Sequence, residues 1–140
     1  MNYKLKKNII IKSLIAGIIL LLINFGGLFI TINFFPALAD EYFSPAFDME
    51  GYKGVLFFLH PFVVSFALAW FWKRFRKILQ GNFWMKGIEL GLAYGFIAVF
   101  PSMWMILSAF DVSLLLVISW FIHGLIQGTI VGLIYAKMDS

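Results

Sequence analysis

Four long apolar runs, divided by short polar or charged stretches, dominate the pattern of this chain. They lie at about 9–35, 54–72, 86–108 and 112–136. Each is long enough to cross a hydrocarbon layer of ~30 Å, which takes about 20 helical residues. A segment in lipid must satisfy its own backbone hydrogen bonds, so runs of this length are helices. The pattern predicts an all-α integral membrane protein. The expected organisation is a single transmembrane domain over residues 1–140, a four-transmembrane-helix up-down bundle.

The polar positions inside and between the runs refine that outline. The first run begins at a basic head (Lys4, Lys6, Lys7), and Lys12 is placed to snorkel toward headgroups. Asn24 and Asn33 are its polar interruptions, and Gly26-Gly27 is a candidate bend. Pro36-Ala37-Leu38-Ala39 has the small-x-small pattern of a signal-peptidase site. The apolar run before it exceeds the roughly 7–15 residues of a signal peptide, so it reads as an uncleaved anchor helix. The loop at 36–53 joins Asp40, Glu41, Asp48 and Glu50 to Tyr42, Phe43, Phe47 and Tyr52, a composition suited to the membrane surface. The second run carries Pro61 and closes on Trp70 and Trp72 in the aromatic-belt position. Residues 73–85 form a basic loop. In the third run Pro101 deprives the Ile97 carbonyl of its helical donor. The turn to the fourth run falls at Ala109-Phe110-Asp111, with Asp111 the expected N-cap.

The last two runs carry glycine at every fourth position: Gly87, Gly91 and Gly95, then Gly124, Gly128 and Gly132. In an antiparallel hairpin turning near Phe110, the pairs 87 with 132, 91 with 128 and 95 with 124 share depths. Small residues let helix backbones approach closely in lipid, where no hydrophobic effect drives association. The expectation is a close-packed glycine-ladder hairpin of the third and fourth helices. A dimer surface is the other use of such a face.

Composition agrees with the membrane reading: 62% of residues are apolar and 13% charged, against about 25% charged in soluble domains. The charges are also sorted. Of the eleven Lys and Arg residues only Lys53 lies on the side of the 36–53 loop and the Asp111 turn, which together hold five acidic residues. The positive-inside rule then places both termini in the cytoplasm, and the expected location is a bacterial cytoplasmic membrane. Lys73, Arg74, Arg76 and Lys77 suit anionic lipid rather than nucleic acid. Without cysteine there is no disulfide, thiolate metal site or thiol nucleophile. The chain has no phosphate loop, dinucleotide fingerprint, haem-attachment motif or serine elbow. No cofactor and no metal are expected.

Ionisable and polar residues inside the membrane are costly and therefore draw functional attention. Five stand out: Glu89, Tyr94, Ser102, His123 and Gln127. Glu89 lies one turn inside the basic end, opposite the glycine face, with Lys86 three positions earlier as its expected ion-pair partner. His123 and Gln127 are four apart and share a helix face; Tyr94 and Ser102 are their expected partners across the hairpin. The bland reading is interhelical hydrogen bonding, and the sharper one is a polar pocket built from these four. His60 beneath the acidic loop has no recognised metal-ligand spacing with it.

The leading functional expectation is a non-enzymatic membrane protein, either an accessory subunit of a larger complex or a small homo-oligomeric transport or permeation unit. The first alternative is a membrane-embedded enzyme acting on a lipid-soluble substrate with Glu89 or His123 as acid or base. The second is a sensor or binding module using the acidic outer loop.

Overall fold

A computed structural model describes residues 3–45, 47 and 50–139, with side chains from Asn8 onward. The loop residue Asp48 and the side chains of Lys4, Lys6 and Lys7 lie outside the described residues. All regular structure among those described is helical. In chain order it comprises α1 (Tyr3–Phe34), α2 (Pro36–Tyr42), α3 (Tyr52–Phe75), α4 (Phe83–Tyr94), a π-helical turn (Gly95–Val99), α5 (Phe100–Ala109) and α6 (Leu114–Met138). Among the described residues four stretches are long and apolar enough to cross a membrane: Asn8–Phe34, Tyr52–Phe75, Phe83–Ala109 and Leu114–Met138. The third of these is α4, the π turn and α5 in sequence.

The π turn has a local cause. Pro101 cannot donate to the Ile97 carbonyl, and a wider i→i+5 register matches that carbonyl to position 102 instead. In the same register, Phe100 N–H donates to the Gly95 carbonyl. The Ser102 hydroxyl donates to the Ala98 carbonyl at 2.7 Å, satisfying a further group at the irregularity.

Two helix pairs form, α1 with α3 and α4 with α6. α6 joins them, because it also packs on α1 and α3. The α4–α6 contact is the closest in the molecule, and its glycines show why. A methyl group on Gly132 would lie 2.8 Å from the Gly87 Cα, and one on Gly128 would lie 3.0 Å from the Gly91 Cα. One on Gly91 would meet Thr129 Oγ1 and lie 2.7 Å from the Thr129 backbone nitrogen. The third rung differs: Gly124 faces Val99 and Gly95 faces Leu125, so glycine meets a side chain there instead of glycine. The π turn begins at this level and changes the register of the backbone.

The end of the bundle that carries Arg74 and Lys77, the basic face, is densely packed. Leu20, Val64, Leu68, Leu90, Val131 and Tyr135 fill it and are almost wholly buried. A chain of buried hydrogen bonds crosses this core: Ser65 Oγ donates to the Ser13 carbonyl, and Tyr135 Oη to the Ser65 carbonyl at 2.6 Å. Such bonds matter in an apolar core because a buried hydroxyl without a partner is expensive.

Lys12 does not snorkel. Its side chain is 10% exposed and turns inward to an ion pair with Asp139, one residue past α6. Lys12 Nζ also donates to the Met138 carbonyl at 3.1 Å. Trp72 Nε1 and Arg76 Nη1 donate to the second oxygen of Asp139 at 2.7 and 2.8 Å. One carboxylate thus ties the start of α1 and the end of α3 to the end of α6. Burial by itself would raise the Asp139 carboxyl, but the hydrogen bonds from Lys12, Trp72 and Arg76 outweigh it and hold the group below its ordinary value. For Lys12, the paired carboxylate and the Met138 carbonyl offset the loss of water.

At the opposite, acidic face α2 lies across the bundle end, with Leu38 and Ala39 buried beneath it. Here the N-cap of α6 is Ser113, whose Oγ accepts from Leu116 N at 3.0 Å, rather than Asp111. Asp111 sits in the turn before the helix begins. Its anticipated place at the positive helix end is taken by Glu41 of α2, which accepts from Ser113 N at 2.7 Å and Ser113 Oγ at 2.6 Å.

Candidate functional site

The acidic half of the bundle is not filled. α5 packs on α6 but makes no comparable contact with α1 or α3. The space between them is a cavity of about 590 Å³, inside the roughly 300–1,000 Å³ range of small-molecule sites. α3 and α5 both contribute to its wall but make no comparable contact with each other, and the packed core is built from other residues of the same helices.

Four of the five sequence-derived polar candidates line this one space: Tyr94, Ser102, His123 and Gln127. Their hydrogen-bond partners are not those expected from the hairpin. His123 Nε2 lies 2.7 Å from Asn24 Oδ1, and Gln127 Nε2 donates to the same oxygen at 2.9 Å. The partner is therefore a residue of α1, reached because α6 packs on α1 as well as on α4. Ser102 bonds back to its own helix, and the Tyr94 hydroxyl has no hydrogen bond among the described residues.

The tautomer follows from this geometry. An amide oxygen only accepts, so the neutral His123 ring carries its hydrogen on Nε2 and leaves Nδ1 as an acceptor. That edge of the ring faces Gly27: a methyl group built there would lie 3.6 Å from His123 Cε1 and 3.8 Å from Nδ1. A small residue at this point of α1 keeps the imidazole edge reachable from the cavity. Gln127 is 2% exposed and the most buried polar member. Among the described residues no buried side-chain nitrogen or oxygen lacks a partner. The unpaired polar atoms here therefore have access to the cavity.

The acidic end of the cavity is roofed by aromatic side chains. Trp120 Nε1 donates to the Tyr42 hydroxyl, and Phe47 stacks edge-on to Trp120 with centroids 5.7 Å apart. Burial raises the Tyr42 phenol above its ordinary value and keeps it a hydroxyl. With the Glu41–Ser113 bonds, this cluster fastens α2 over the site.

Glu89 is elsewhere. It is exposed at the basic face, where Oε2 accepts from Gln80 N at 3.1 Å, and among the described residues it forms no ion pair with Lys86. His60 does line the cavity, on the α3 side. Among the described residues no group of three or more His, Asp or Glu is arranged to hold a metal ion. Sequence reasoning overlooked Asn24 as a site residue. The signal was present, since an amide in the middle of an apolar run needs a partner in the bundle, but nothing local says which helix supplies it. A smaller cavity of about 80 Å³ lies at the basic face beside Trp72, Tyr135 and Asp139.

Comparison with known proteins finds no matching family model, no similar curated sequence and no similar solved structure.

Proposed function

We propose that this chain is a non-enzymatic membrane protein that binds a small amphipathic molecule drawn from the bilayer. The observation that carries the reading is the cavity: about 590 Å³, apolar on most of its wall, with Asn24, His123 and Gln127 gathered on one side. A wall in which α3 and α5 make no comparable contact with each other suits a ligand that arrives through lipid. The packed core and the Lys12–Asp139 tie beneath it suit a blind pocket better than a continuous pore.

In the same proposal the helices run up-down with both termini in the cytoplasm of a bacterial cell, following the charge of the loops. The cavity then lies in the outer leaflet half. Lys73, Arg74, Arg76 and Lys77 meet anionic lipid at the inner surface, and the glycine-ladder hairpin of α4 and α6 is the rigid wall against which the site is built. Serving as the binding subunit of a homo-oligomer or a larger membrane complex is compatible with this role.

The test uses the full chain in lipid nanodiscs. Protein purified from membranes is extracted with solvent, and the extract is compared with that of Gly27→Leu. The new side chain starts 3.6 Å from the His123 ring and grows into the cavity. A hydrophobic small molecule in near-stoichiometric amount with the wild type, and lost with Gly27→Leu, is the expected result. Equal recovery from both proteins would overturn the proposal.

A further inference from the structure

The hydrogen-bond polarity of the cavity goes further than its shape. Its lining contains Asn, Gln, His, Ser, Thr, Tyr and Trp, but among the described residues no Asp, Glu, Lys or Arg. An ionised head group brought there would leave water without a countercharge, which is strongly unfavourable. The lining therefore favours an uncharged head.

Most donors on the wall are already committed to the protein. The hydroxyls of Thr31, Ser102 and Ser119 donate to carbonyls of their own helices, those of Gly27, Ala98 and Leu116. Each keeps oxygen lone pairs facing outward from the bond it makes. His123 Nε2 and Gln127 Nε2 both donate to Asn24 Oδ1, which leaves His123 Nδ1 and Gln127 Oε1 as acceptors. Trp120 commits its one donor to Tyr42. Against these acceptors stand the Asn24 amide hydrogens, the second Gln127 amide hydrogen and the Tyr94 hydroxyl, with the Tyr42 hydroxyl hydrogen up at the roof. A neutral His60 ring adds one donor and one acceptor and leaves the balance unchanged. Around His123, Gln127 and Ser102 the wall thus offers more lone pairs than free hydrogens, and a head that only accepts leaves those lone pairs unmatched.

We infer that the ligand is an uncharged amphiphile whose head carries hydroxyl hydrogen-bond donors, a lipid alcohol or polyol, with its apolar chain leaving between α3 and α5. The inference rests on the binding reading above and adds the chemical class of the head. Hydroxyl hydrogens meet the acceptors of His123, Gln127 and Ser102, while a hydroxyl oxygen accepts from Asn24 Nδ2. An ester, ketone or ether of the same size satisfies only the second of these.

The experiment measures saturable binding of tritiated decylglycerol to the full chain in nanodiscs. Competitors are its dimethyl ether, decanoate and decylamine, each at matched concentration in the membrane. Decylglycerol is expected to bind saturably, and the three analogues to compete at least about tenfold more weakly, the factor for one or two lost hydrogen bonds. Ser102→Ala serves as a probe that spares the fold, because Ser102 is exposed and bonds only within its helix. It should weaken decylglycerol several-fold and leave the weak competition by the dimethyl ether unchanged. Competition by the ether equal to that by the diol overturns the head-group inference, as does tighter binding of decanoate or decylamine. In those cases saturable, Gly27→Leu-sensitive binding would still leave the cavity reading standing. If none of the four probes binds saturably, both readings fall.

Discussion

Asp139→Asn isolates the tie at the basic face. The replacement keeps the size and one acceptor oxygen but removes the charge that faces Lys12 and Arg76. Two contributions are lost unequally. The Arg76 guanidinium is 46% exposed, so its pair contributes only about 0–1 kcal/mol. Lys12 is 10% exposed and would be left as a buried cation with only neutral oxygens, the Met138 carbonyl and the new amide, as partners. Breaking a fully buried pair by deleting one member costs about 3–5 kcal/mol. Asp139 itself is 19% exposed, so the cost is reduced and a total of about 2–3 kcal/mol follows. The assay is reversible unfolding in mixed detergent micelles, followed by circular dichroism. The pH dependence has a definite sign. The folded carboxyl is held below its unfolded value of about 3.9, so its stabilisation is fully present above that value and lost as pH falls through the folded one. Asp139→Asn should lack this loss on acidification. Adding Lys12→Met removes the stranded cation, so the double variant should be more stable than Asp139→Asn alone. A destabilisation under about 0.5 kcal/mol, or strict additivity with Lys12→Met, would refute the reasoning.

Other substitutions separate packing from open surface. Gly91→Ala places a methyl group 2.7 Å from the Thr129 backbone nitrogen, so α4 and α6 must part and the same unfolding assay should show a loss of about 2–3 kcal/mol. Gly26→Ala meets nothing within 4 Å, and should be neutral or stabilising by up to about 1 kcal/mol, the helix preference of alanine over glycine. Glu41→Ala removes both bonds to Ser113; hydrogen exchange at the first turn of α6 should quicken by about fivefold to tenfold, the equivalent of a capping interaction near 1 kcal/mol, while the turn around Gly91 stays protected.

The membrane-spanning helices were legible in the sequence because they depend on a local quantity, whereas the short helix α2 inside the 36–53 loop and the π turn were not. A run with the length and apolarity of Asn8–Phe34 is a helix in lipid whatever surrounds it, and the described residues hold four such helices. The polar residues that would need partners, His123, Gln127 and Tyr94, were also visible, because any such group stands out against an apolar run.

What only the tertiary structure decided is direction. Apart from the glycine faces of α4 and α6, these helices are apolar on nearly every side, so periodicity does not say which face meets which neighbour. Nothing local told that Asn24 would receive both His123 and Gln127, or that Lys12 would turn inward to Asp139. Nor could it place Glu41 rather than Asp111 at the head of α6, since that depends on where α2 comes to rest. The cavity is the clearest case. It exists because α5 packs on α6 and stands away from α3, and a gap between helices is a property of their arrangement that no single helix carries in its residues.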